Sequence, residues 1–146
     1  MTPLIPSATP AKHGGYALAL VCGPVGAWLT LQIGLGLRAT ACTPSALLTL
    51  LVLAPVAEET VFRLGLHDWL LSKFQAQIGP VSLANVLVAL IFGTVHALNH
   101  GSGLMLLSAV PALVFGWLWE ASARRLIMPV SAHAWYNLCI VLASCQ

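Results

Sequence analysis

The chain has 146 residues, 59% hydrophobic and only 7% charged, with a mean hydropathy of +0.91. Soluble domains carry about 25% charged residues, and a water-soluble fold would need a larger core than this length encloses, so the chain reads as an integral membrane protein with one compact domain. A formal charge of +2, from six Lys/Arg and four Asp/Glu, excludes a nucleic-acid-binding surface.

Residues 1–15 are polar and carry Pro and Gly, which predicts a short cytoplasmic tail with no apolar leader of the cleavable type. Residues 16–146 then form a single transmembrane domain. A spanning helix takes roughly 20 mostly apolar residues, and five stretches fit: 16–37 closed by Arg38, 45–71, 81–98 opened by Gly79-Pro80, 103–121, and 127–143 with Pro129 in its first turn. Proline there costs little, because that N–H has no helical partner anyway. The loops are short, as antiparallel neighbours require. The expected fold is all-α, a polytopic transmembrane bundle of about five spanning helices. Lys12, Lys73, Arg124 and Arg125 fall on one side of it and only Arg38 on the other, so the positive-inside rule puts the N-terminus in the cytoplasm. The four cysteines have no metal-ligand spacing. Cys22 and Cys139 lie in apolar runs, where cysteine behaves as a small hydrophobe. A Cys42–Cys145 disulfide is open, since sequence alone cannot pair cysteines.

Ionisable residues inside spanning segments are costly and mark function, with a partner nearby. Three clusters qualify. In the second span, Glu59 and Arg63 are four apart and share a helix face, while Glu58 is turned about 100° away. Glu59 is thus expected to satisfy Arg63 and Glu58 to point into a cavity as a candidate general base. In the third span, Phe92 precedes His96 by one turn; an imidazole there can hold a water against a carboxylate or ligate a metal. Asn99 and His100 look like the wet end of that helix. In the fifth span, His133 and Asn137 share a face and are donors suited to a developing oxyanion. Each cluster alone also fits a structural reading: an ion pair, a satisfied histidine, an interhelical hydrogen bond.

Together they fit a hydrolase in which Glu58, helped by His96, polarises a water that attacks a peptide carbonyl. No cofactor or metal is implied: there is no H-E-x-x-H pair, and Asp68 is the only aspartate, which excludes a two-aspartate mechanism. Ser102 lies in a short Gly-rich loop, and a serine mechanism leaves Glu58, Glu59 and Arg63 unexplained. Two alternatives stay open: a non-enzymatic immunity or scaffold protein, and a small transporter with Glu58, His96 and His133 as a metal or proton site.

The three clusters resemble the motifs of the CPBP family of intramembrane proteases, which includes the type II CAAX prenyl endopeptidases and the Abi proteins. E-E-x-x-x-R is matched by Glu58 to Arg63, F-x-x-x-H by Phe92 to His96, and H-x-x-x-N by His133 to Asn137, in the same order. The resemblance covers roughly residues 50–142 and extends to a Gly-rich fourth helix around Gly116 and a proline shortly before His133. It implies a metal-independent, glutamate-type endopeptidase. Glu58 would be the base, supported by Glu59 and Arg63. His96 would help hold the water, and His133 with Asn137 would form the oxyanion site. The implied partners are the lipid bilayer of a bacterial inner membrane and a membrane-anchored protein or peptide, cut near its C-terminal region as in CAAX or sorting-signal processing. Nothing in the resemblance indicates the oligomeric state.

Overall fold

The computed structural model describes residues 11–33 and 42–144. The described helices are α1 (Ala11–Gln32), α2 (Pro44–Lys73), α3 (Leu83–His100), α4 (Gly103–Ala121) and α5 (Ile127–Ser144). Between α2 and α3, β1 (Gln77–Ile78) pairs antiparallel with β2 (Val81–Ser82). This two-stranded hairpin was not expected from the sequence. Gly79 makes its turn at φ +60°, a conformation that glycine adopts without a Cβ penalty. Ser82 then caps α3, its Oγ accepting from Asn85 N–H at 3.0 Å, so the third span starts at Leu83 rather than 81.

Helices α2 to α5 are each long and apolar enough to cross a membrane. In α1 the apolar stretch is Gly15–Thr30, which reaches about 24 Å at 1.5 Å per residue, against a hydrocarbon core of about 30 Å. The expected five spans are therefore four of full length and a shorter fifth. Helix α1 starts at Ala11, before the expected 16, and stops at Gln32; the expected cap Arg38 and residues 1–10 of the expected tail lie outside the described residues. Cys22 and Cys139 are free and Cys42 is disulfide-bonded; Cys145, the other half of the pairing left open above, lies outside the described residues.

Large apolar side chains point outward along every spanning helix, among them Val52, Val61, Leu98, Val110 and Leu142, as they must where the surroundings are lipid. The interior is small and partly polar. Ala84, Val88, Ala89, Phe92, Ala112, Phe115 and Trp119 are buried together with Glu59, Arg63, His67, Asn85 and His133. Helix α5 packs on α1, on α4 and on the first half of α2, while the second half of α2 packs on α3 and α4.

Among the prolines inside helices, Pro24 and Pro55 each free a carbonyl that α5 answers. Proline has no N–H, so a carbonyl one turn earlier loses its helical partner. Pro24 in α1 frees the carbonyl of Leu20, and the Trp135 indole N–H donates to it at 2.9 Å. In α2, residues Thr49–Leu53 are π-wound, with Ala54 N–H donating to Thr49 O. The next bond of that kind would run from residue 55 to Leu50, and residue 55 is proline. Asn137 Nδ2 donates to the Leu50 carbonyl instead, at 2.8 Å.

A second π-wound segment, Thr60–His67, follows in the same helix. In an α-helix, four residues overshoot a full turn by about 40°. π winding takes more residues per turn, so mixing the two keeps positions four apart in line. Pro55, Glu59, Arg63 and His67 accordingly form one continuous buried stripe.

Candidate active site

The stripe on α2 sets the first carboxylate. Glu59 is fully buried, and its Oε2 accepts from Arg63 Nε at 2.7 Å. Arg63 is equally buried and donates through Nη2 to the Ala112 carbonyl of α4 at 3.1 Å. The other oxygen of Glu59 reaches α5: His133 Nδ1 lies 2.9 Å from Oε1. A carboxylate paired with arginine only accepts, so His133 donates from Nδ1 and its Nε2 faces away from Glu59.

Glu58, one residue earlier, is turned out of the stripe and remains 31% exposed. Its Oε2 is nevertheless buried and has no hydrogen-bond partner among the described residues. That oxygen lies 3.8 Å from His133 Nε2 and 3.8 Å from His96 Nε2. The tautomer of His96 is set as firmly as that of His133. Its Nδ1 donates to the Phe92 carbonyl at 3.0 Å, which leaves Nε2 toward Glu58. One carboxylate oxygen and two imidazole nitrogens thus converge on a common space.

Aromatic planes hold both rings. His96 stacks on Phe92 with centroids 4.2 Å apart, and His133 stacks on Phe115 at 5.0 Å. Phe62 meets Phe92 edge-on at 4.9 Å. The structure therefore brings Glu58, Glu59, Arg63, His96 and His133 together. Asn137 sits one turn beyond His133 and spends one amide N–H on Leu50; a second N–H remains to it. His100 and Asn99 are exposed at the end of α3. Among the described residues, no group of three or more His, Cys, Asp and Glu side chains is arranged to hold a metal ion.

Sequence reasoning missed a second polar group toward the opposite end of α2. His67 is fully buried, and its Nε2 donates to Glu120 Oε1 at 3.0 Å. Ser82 Oγ donates to the same oxygen at 2.6 Å. Beside them, Asp68 accepts from the Trp119 indole at 3.2 Å and lies 3.5 Å from Arg124. The signal was available: Glu120 and His67 are ionisable residues in apolar segments, the same reason that singled out Glu58. Phe115 gave no signal, because an aromatic residue in a spanning helix is ordinary. The partner of His133 was also unforeseen, since nothing local links residues 59 and 133.

Residues 40–139 match the family described as type II CAAX prenyl endopeptidase Rce1-like. No curated protein and no solved structure matches the chain.

Proposed function

The chain belongs to the Rce1-like type II CAAX prenyl endopeptidase family, a family of membrane proteases, and from that premise we propose a glutamate-type intramembrane endopeptidase that cuts near the C-terminal region of membrane-associated proteins. The observation that carries the mechanism is the division of labour between adjacent carboxylates. Glu59 is committed to Arg63 and His133, while Glu58 keeps a buried, unpartnered oxygen 3.8 Å from each of two imidazole nitrogens. That spacing is too long for direct hydrogen bonds and suits a shared water.

Three acceptors surround that water, and the water brings two protons. A third proton, on His133 Nε2, completes the set, while Nδ1–H stays engaged with Glu59. Glu58 takes a proton from the water as its oxygen adds to the peptide carbonyl. His133 Nε2–H and the second N–H of Asn137 then face the oxyanion, and donors placed where charge develops supply a large part of catalysis. The tetrahedral intermediate collapses as Glu58 returns the proton to the leaving nitrogen, giving an amine and a carboxylic acid that holds the water's second proton until it passes to the amine or to solvent. The water oxygen ends in the new C-terminus, and no covalent enzyme intermediate forms.

The proposed topology places the N-terminus in the cytoplasm of a bacterial inner membrane. Lys73, Arg124 and Arg125 support it by sharing one end of the bundle, where Arg124 reaches Asp68 of α2, as the positive-inside rule requires. The disulfide at Cys42, at the other end of α2, agrees, because disulfides persist on the oxidising side.

The test compares membrane proteomes of cells carrying the wild type or Glu58→Ala at matched expression, with peptide termini mapped by mass spectrometry. New C-termini confined to the wild type are expected, and they would name the substrate and the bond. Identical termini would overturn the protease reading in favour of a binding or immunity role.

A further inference from the structure

We propose that Asn85 is a positioning residue for the Glu59–His133 pair, acting through Arg63 and seated in turn by Ser82 and Glu120. The proposal rests on the reading of Glu59 and His133 as catalytic machinery. Its physical content, a mechanical coupling across four helices, is independent of turnover.

Asn85 is fully buried on α3. Its Nδ2 donates to the Leu113 carbonyl of α4 at 2.9 Å. A carbonyl accepts only, so the amide cannot be flipped, and Oδ1 must point the other way. What it meets there is shown by Gly116. A Cβ at that glycine would collide with Asn85 Oδ1 and stand 3.0 Å from Arg63 Nη1. The oxygen and the guanidinium nitrogen therefore face one another over the bare Cα of Gly116. Both are buried atoms without a hydrogen-bond partner among the described residues. One is a strong acceptor and the other a charged donor, and a buried pair of that kind is drawn together directly or through a bound water.

The other end of Asn85 is anchored. Its backbone N–H donates to Ser82 Oγ, and Ser82 Oγ–H donates to Glu120 Oε1, which also receives His67 Nε2–H. Hydrogen bonds join Glu120 through Ser82 to Asn85, and Arg63 through Glu59 to His133; the proposed Asn85–Arg63 pairing links the two runs into one line across α4, the hairpin, α3, α2 and α5. Arg63 is the only cation on that line that is fully buried beside Glu59. Whatever sets the guanidinium sets the carboxylate, and the carboxylate sets the imidazole.

The test uses the full chain, labelled with 15N-histidine, in detergent micelles, with the His133 ring signals assigned by His133→Gln. Asn85→Ala is expected to shift both ring-nitrogen resonances of His133 while leaving those of His100, exposed at the end of α3, in place. Glu120→Gln and Ser82→Ala are expected to move His133 in the same sense by less. His133 resonances that coincide with the wild type in a folded Asn85→Ala protein would overturn the proposal. Should Asn85→Ala not fold, Glu120→Gln decides, because it keeps the shape and an acceptor oxygen. An unmoved His133 in that variant overturns the coupling. The readout needs no substrate, so a chain that cleaves no peptide still tests it.

Discussion

Replacing Glu58 by Gln keeps its size and removes its ability to accept a proton, which separates chemistry from packing. A positioned general base contributes about 10²- to 10⁴-fold. Glu58→Gln is therefore expected to lower the rate of substrate cleavage by that factor while the thermal unfolding of the purified protein stays at the wild-type value. Arg63 should behave in the opposite way. It neutralises a fully buried carboxylate, and breaking a buried pair by removing one partner costs about 3–5 kcal/mol. Arg63→Met is expected to accumulate poorly and to unfold early in detergent; adding Glu59→Gln, which removes the stranded charge, should recover part of that loss. At this scale the sequence was informative where spacing decides. Glu59 with Arg63 is an i,i+4 pair, and Glu58, one residue away, had to face elsewhere. It was silent on contacts between helices. Glu59 meets His133 only because α2 and α5 pack at that height.

Helix α5 is the element that organises the others. Its Trp135 and Asn137 donate to carbonyls that Pro24 and Pro55 leave without helical partners, and Tyr136 OH donates to Ala19 O at 2.8 Å. Hydrogen bonds between helices in lipid average about 0.6 kcal/mol and reach about 1.7. Trp135→Phe keeps the ring and loses the N–H, so a loss of stability within that range is expected, read as a lowered unfolding midpoint in micelles. The spans themselves are legible as apolar runs: 103–121 agrees to the residue, and the second, third and fifth spans to within two residues at each end. The winding was not legible. A π-turn has the same composition as an α-turn, and the short hairpin at 77–82 carries only the Gly79-Pro80 signal, which reads equally well as the start of a helix.

For the whole molecule, charge asymmetry and the short loops predict which ends face the cytoplasm. Asn99 is exposed at the C-terminal end of α3, and Gln75 is exposed in the connection from α2 to β1, which leads to the N-terminal end of α3. With a membrane-impermeant maleimide on intact cells, Asn99→Cys is expected to react directly and Gln75→Cys only after permeabilisation, against the background of native cysteines. The reverse pattern would invert the proposed topology. Family and general fold were readable from three short motifs in apolar surroundings. The second polar group around Glu120 was not read, because no motif contained it.

The mixed winding of α2 sets an unequal tolerance to genetic change. Its lipid face, with Val52, Val56, Val61 and Leu64 exposed, can drift among apolar residues at little cost. Its length cannot drift at all. With the π winding kept, deleting one residue within Thr60–His67 would rotate everything beyond the deletion by roughly 90°, carrying His67 off the stripe that holds Glu59 and Arg63. Lineages that keep this arrangement should therefore vary freely on the lipid face of α2 while showing no gaps in the helix, and an alignment that places an indel there marks a chain in which Glu120 has lost its His67 partner and keeps only Ser82.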